Sequence, residues 1–302
     1  MRAPSKLSKR NHWYHIAALL ALIVTPLATH AQTRVNRGFA LNADGAFKFF
    51  SDGGSVRIIG WDRDSVAVTG TIAGSGKDFG GGNRTGVKFG IESANGKSTA
   101  DLVVHVPARA RVWVKTASAD IDVSTLAGAV DISTVAGTVH LQGRPTEVRA
   151  ETMNGNLDIT ASAAYTRLKT ATGDITWNGS SDDVGIITVS GRVLINAGTV
   201  QRARFESIDG EIHYIGGVTK NASVSVDTHS GNVVLAFHRG TNVELEVNAP
   251  SVDLLGVKEG SARTGKTPVP QKTFYRDIGK AQLAGAVFTV RSYKGFVSAV
   301  LQ

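Results

Sequence analysis

Between about Arg111 and Leu254, apolar residues fall on four columns that return with a near-fixed step. A small residue marks the step. Ala119, Gly137, Gly155, Gly173 and Gly191 stand 18 apart, Gly210 follows after 19, Gly231 after 21 and Pro250 after another 19. Seven and five places before it stand pairs such as Val112 and Val114, Val130 and Ile132, Val184 and Ile186, and Val224 and Val226. Two and four places after it stand Ile121 and Val123, Val139 and Leu141, Leu157 and Ile159, and Val233 and Leu235. The residues between are mostly polar: Lys115, Glu151, Lys169 and Glu206 before the small residue, Asp122, His140, Asp158 and His213 after it. Alternation of this kind predicts two short strands per repeat, each with one dry face and one wet face. The many β-branched residues suit a pleated, half-buried surface.

Three places before the small residue a hydroxyl recurs, at Thr116, Thr134, Thr152, Thr170, Thr188, Ser207 and Thr228. It is in phase with the apolar columns, so it is expected to point inward and satisfy backbone groups of the turn. The glycine is expected to supply a positive φ there. The opposite turn, at 124–128, 178–183 and 215–221, varies in length and is predicted as a tolerant loop. One unit cannot bury its own apolar face, whereas stacked units can. The chain is therefore expected to be all-β, a β-solenoid-like ladder with two short strands per ~18-residue repeat. An antiparallel meander folded into a sandwich is the alternative.

The pattern also divides the chain. Residues 32–108 read as N-terminal strands that cap the ladder, with a Gly-rich exposed loop or long hairpin at 73–98 that holds an edge strand around Val87 to Ile91. The ladder spans 109–254, a polar insertion 255–285, and a final rung 286–302, where Phe288, Val290, Ser292, Val297 and Ala299 take the inward places around Gly295. Residues 1–31 read as a secretory leader: Arg2, Lys6, Lys9 and Arg10, then an apolar run from Ile16 to Ala28, then Thr29-His30-Ala31 as the cleavage site. The run is short for a membrane span, which needs about 20 apolar residues. Export to the periplasm, the cell surface or the medium is the expectation.

Composition adds limits. There is no Cys, so neither disulfides nor a cysteine-linked lipid is available, and stability must come from packing. Of 33 basic residues four lie in the leader, leaving 29 against 25 acidic ones. So small an excess on an exported chain does not point to nucleic acid.

Candidate chemistry is sparse. Gly260 to Thr267 fits the P-loop pattern, but Pro268 and Pro270 follow at once and oppose the helix that would hold phosphate, so no nucleotide is expected. There is no nucleophile elbow and no His-Glu-x-x-His. His140 and His213 share an outward column four rungs apart. Asp120, Asp122, Asn156, Asp158 and Asp174 form an acidic outward set that could in principle hold Ca²⁺. Asp122 and Asp158, however, are two rungs, about 10 Å, apart, so solvated carboxylates are expected. No catalytic, cofactor or metal residue is assigned. The one candidate ligand face is the basic set Arg149, Arg167, Lys169 and Arg204, preceded by Trp113 and Lys115. Basic stripes beside an aromatic suit an acidic glycan or a phosphorylated surface polymer, and an envelope protein is the other partner expected. Glu151 and Glu206 interrupt the stripe, and a cross-strand pair of Glu151 with Lys169 is expected to neutralise part of it.

Three features together carry a family likeness: the segment Gly53-Gly54-Ser55-Val56-Arg57-Ile58-Ile59-Gly60-Trp61-Asp62, the strand Leu102 to Val106 closed by Pro107, and the recurrent Thr-x-x-Gly-x-apolar-x-apolar unit. From about Asn42 to Val300 the chain resembles the "putative adhesin" family of exported bacterial envelope proteins, domain of unknown function 4097. The resemblance implies an exported all-β repeat protein and brings no catalytic residues. The expected function is a non-enzymatic envelope scaffold, adhesin-like, binding a polymer or protein partner. A polysaccharide-active β-helix enzyme and a structural or signalling accessory of the envelope are the alternatives.

Overall fold

The computed structural model describes residues 32–93, 98–254 and 272–302. The P-loop-like stretch and the leader lie outside the described residues. From Arg111 to Phe237 each coil of the ladder pairs with the next in parallel. Val112 stands opposite Val130, then Val148, Thr166, Val184, Ala203 and Val224. On the other strand Ile121 stands opposite Val139, then Leu157, Ile175, Val193, Ile212 and Val233. Parallel pairing in register is the β-solenoid arrangement, with two strands per coil; the antiparallel meander does not occur in the ladder. The inward columns meet in one core, with Ile132, Ile159, Leu168, Ile186, Ile195 and Phe205 essentially inaccessible.

Five of the inward hydroxyls do what their phase implies, whereas the buried Ser207 Oγ has no hydrogen-bond partner. Thr152, Thr170, Thr188, Thr228 and Ser292 each accept the backbone N–H of the glycine three places on, at 2.9–3.1 Å. The glycines themselves need a different explanation from the one their turn position suggested. Among the glycines of the repeating turn column only Gly137 has a positive φ, at 103°. What excludes a side chain is stacking. A Cβ built at Gly155, Gly173, Gly191, Gly210 or Gly231 falls on the carbonyl oxygen of the glycine one coil earlier, well inside the 3.0 Å limit of real contacts. The turn backbone of each coil lies directly on that of the last.

The opposite corner is not a loop in the middle of the ladder. Leu157–Lys169, Ile175–Thr188 and Val193–Ser207 run through it as unbroken strands. The step from 18 to 19 is absorbed by a register shift opposite Gly179 and Ser181, where Gly179 faces Ala197 but Ser181 faces Val200. A bulge accommodates one extra residue without breaking the sheet.

At both ends the stacking departs from chain order. The strand Ala46–Trp61 lies between two coils. On one side it pairs with Gly86–Glu92 and Thr99–Pro107, on the other with Arg111–Leu126, always in parallel. The Gly-rich stretch forms the antiparallel hairpin Lys77–Asn83 with Gly86–Glu92, and buries Val87, Phe89 and Ile91. At the far end the C-terminal coil, Val287–Ser292 with Phe296–Leu301, inserts between the coil of Ser223–Thr228 and Val233–Phe237 and the coil of Val243–Ala249 and Ser251–Leu254. The outermost coils carry antiparallel strands: Ser65–Ala73 on Thr99–Pro107, and Lys272–Ile278 on Val243–Ala249. Terminal rungs of a solenoid must blunt their edges, and these added strands do so. Phe288 of the inserted coil packs edge-on to Tyr214 and Phe237, at 5.0 and 5.3 Å between centroids.

Candidate ligand-binding face

The first strand of each coil presents one outward residue per rung on its central column. Parallel register fixes the order of that column as Lys88, Lys48, Trp113, Asp131, Arg149, Arg167, Gly185 and Arg204. Arg149, Arg167 and Arg204 thus share one column, and Lys169 stands on the next, beside Glu151. Successive residues of a column are one strand spacing apart, about 4.8 Å.

The arginines are largely neutralised within the face. Arg149 pairs with Glu147 and Arg204 with Glu206, each along a single strand. Arg167 donates to Asp183 Oδ1 at 2.6 Å, and Arg202 pairs with the same carboxylate at 3.3 Å. Burial acts to raise the Asp183 pKa, but the hydrogen bonds and charges of Arg167 and Arg202 outweigh it and hold the group below the ordinary carboxylate value. Tyr165 lies under both guanidinium groups, 5.0 Å from Arg149 and 4.0 Å from Arg167. Glu151 and Lys169 are neighbours by register but form no ion pair among the described residues; the acids on this face pair with arginines instead.

The N-terminal end of the column behaves differently. Lys48 lies 5.6 Å from the Trp113 ring. Lys88 lies 4.9 Å from Phe50 and 5.2 Å from Phe79. Lys48, Lys88 and Lys115 are exposed, and among the described residues none is joined to a carboxylate. A shallow depression of about 410 Å³ opens here, lined by Lys48, Phe50, Trp113, Lys115 and Asp131. Sequence reasoning reached Trp113 and Lys115 but not Lys48 and Lys88, because nothing local in the sequence places 46–50 and 86–90 beside the repeat.

Asp131 is the acid of this end, and burial raises its pKa above the ordinary value despite the charge of Arg149. A carboxylate whose folded pKa is raised penalises the fold once it ionises, and the penalty disappears as pH falls through that pKa. Asp131→Asn is therefore expected to melt higher than the parent at pH 7, with the two converging as pH is lowered through the carboxylate range. Thermal melts across that range check it.

The acidic set on the second strand has a backbone role. Asp120 accepts the N–H of Thr138, Asn156 that of Asp174, and Asp174 that of Arg192, at 2.8–2.9 Å. These side chains stitch each coil to the next beside the glycine turn. His140 lies 3.4 Å from Asp158 one rung on, and His213 3.0 Å from Glu211. No cluster among the described residues has the donor set for a metal ion.

A second concavity, an open groove of about 690 Å³, lies at the glycine corner of the last coils. Val189, Ile208, His229 and Tyr293 form one side, and Glu206, Asp227 and Arg291 the other. Val189 and Ile208 belong to an exposed corner column with Val135 and Met153. That column sits two places before each small residue, out of phase with the inward set, which is the signal that reveals it in the sequence.

The comparisons agree with this architecture. The Toastrack DUF4097 family model matches residues 56–266. No curated protein matches the chain. Among solved structures, a "putative adhesin" from Parabacteroides distasonis aligns over 89% of this chain and 97% of its own at 12% identity, with a TM-score of 0.53. Another "putative adhesin", from Parabacteroides merdae, aligns over 89% and 96% at 11% identity, with a TM-score of 0.49. At these identities the likeness concerns the fold alone, and the P. distasonis structure carries it. With the family match covering the whole ladder and the parallel two-strand coils in place, the chain belongs to the Toastrack DUF4097 family.

Proposed function

We propose that the protein is an exported, non-enzymatic, adhesin-like envelope scaffold that holds an extended partner, an acidic glycan or an envelope protein, along the first-strand face. One observation supports this above others. The inward residues, the turn glycines and the inward hydroxyls are consumed by the fold, while the outward column from Lys88 to Arg204 sets basic or aromatic groups at six of its eight rungs, with Asp131 and Gly185 at the other two. A flat surface with regularly spaced charge matches a ligand that is itself extended and periodic. Arg149, Arg167, Lys169 and Arg204 are its ladder half. The family resemblance and the adhesin names of the structural neighbours point the same way. The leader-like residues 1–31 support export.

The test is retention of the purified protein on immobilised acidic polysaccharides and on envelope extracts, with Arg149, Arg167, Lys169 and Arg204 replaced together by glutamine. Retention is expected, and the fourfold variant, once a thermal melt shows it folded, is expected to lose part of it. Equal retention of parent and variant on every surface contradicts the face assignment.

A second reading, a glycan-active enzyme, draws on one feature: Glu206 and Asp227 stand on adjacent rungs inside the corner groove. Paired carboxylates in a cleft are what glycoside cleavage requires. Here Glu206 is held by Arg204, and Arg291 lies 3.9 Å from Asp227. Incubation with polysaccharides is expected to release no new reducing ends. Release that Glu206→Gln abolishes replaces the scaffold with the enzyme.

A further inference from the structure

The two halves of the column differ in what a bound anion would have to displace. At Arg149, Arg167 and Arg204 an incoming carboxylate competes with Glu147, Asp183 and Glu206, which already occupy the guanidinium groups. Each exchange trades one charge-assisted bond for another and gains little. At Lys48 and Lys88 the ammonium groups rest only on aromatic faces. A cation held by a ring quadrupole still has its donors free for an anion, so nothing is lost when one binds.

The arrangement also limits the kind of anion. Lys88 and Lys48 stand on adjacent rungs, and Lys115 lies one outward place further along the strand from Trp113. These are three point charges spread over three coils, without the planar fork that selects a single phosphate or carboxylate in two-pronged geometry. Trp113 is 36% exposed, with the ammonium of Lys48 over its ring and Asp131 next in the column on its other side. A sugar ring offers an apolar C–H face to the indole and carries its carboxylate at the edge, toward the ammonium groups. A lipid surface requires apolar side chains that stand clear of the protein and sink among acyl chains. Phe50 and Phe79 do not: both are half-buried and lie beneath Lys88.

We propose that Lys48, Lys88 and Lys115, around Trp113, form the anion-binding end of the face and take the carboxylates of an acidic polysaccharide laid across the coils of 86–90, 46–50 and 111–116. This inference rests on the scaffold reading and names the part of the face that supplies its affinity.

The experiment measures binding of polygalacturonate, dextran sulfate, neutral dextran and phosphatidylglycerol vesicles to the protein, to K48Q/K88Q and to the fourfold Arg149, Arg167, Lys169 and Arg204 variant. Thermal melts establish that each variant is folded. Polygalacturonate is expected to bind in preference to neutral dextran and to weaken with added salt. K48Q/K88Q is expected to weaken that binding about tenfold, and the fourfold variant to weaken it less. If the fourfold variant loses binding and K48Q/K88Q keeps it, this inference falls while the face reading stands. If neither variant loses binding, both fall. Binding to dextran sulfate without polygalacturonate overturns the carboxylate assignment, and binding to vesicles without either polymer replaces the polysaccharide with a membrane.

Discussion

Gly191→Ala is expected to destabilise the protein by about 3 kcal/mol, the upper range for forcing extra volume into a packed interior. The alanine Cβ would fall on the carbonyl oxygen of Gly173, which is backbone held in the turn stack and unable to swing aside. Relief requires the two coils to separate at the corner. That would strain the bond from the Gly191 N–H to Thr188 and the side-chain bond from Asp174 to the N–H of Arg192. At roughly 2–4 °C per kcal/mol for a domain of this size, the melting temperature should fall by about 10 °C. Gly81→Ala is the control. A Cβ there meets nothing within 4 Å, and no positive φ is involved, so the change should stay within about 0.5 kcal/mol. A Gly191→Ala protein that melts with the parent removes the stacking explanation for the glycine column.

Phe288→Ala carries the other large effect, about 3–5 kcal/mol, the range for emptying a buried aromatic site. Phe288 is fully buried, and its ring fills the space between Tyr214 and Phe237. Position adds to volume here. The coil that bears Phe288 separates the 223–237 coil from the 243–254 coil, so loosening it unpairs both neighbours. The expected signature is protease cleavage within 243–254 or 272–280 at temperatures where the parent resists, with the rest of the ladder intact. Solenoid stability is close to a sum of local terms, so damage should stay near its source. Val287→Ala, at an exposed place in the same strand, should leave the cleavage pattern unchanged.

The ladder was legible in the sequence because each of its columns repeats a simple physical demand. Val130 and Ile132 announce a dry face, Thr134 an inward hydroxyl, and Gly137 a place without room for a side chain. The demand behind the glycines was open to misreading. A turn and a stack both ask for glycine, and only the φ values, together with the carbonyl one coil below, separate the two. The stacking order at the ends was not legible. Phe288, Val290 and Ser292 carry the inward pattern of any coil, so the pattern alone admits them at any slot. The slot is chosen by shape, since a large ring at 288 meets Tyr214 and Phe237. The face was half legible for the same reason. Arg149 and Arg167 lie one period apart and reveal each other, whereas Lys48 and Lys88 join the column only through a pairing that reorders the first coils. Nor does sequence tell which cations are spent. The acids that neutralise Arg149 and Arg204 stand two residues away on the same strand, and those places are occupied by Ala46, Phe50 and Gly86, Gly90 around Lys48 and Lys88.

The central claim is that function resides on the outward column of the first strands and not on the second. The most direct test compares polygalacturonate binding by two variants of matched thermal stability. One removes the first-strand cations Lys48, Lys88, Arg149 and Arg167; the other removes the second-strand polar groups Arg57, His140 and His213. The first variant should lose binding by tenfold or more, and the second should bind as the parent does. Equal loss in both, or loss confined to the second, would contradict it.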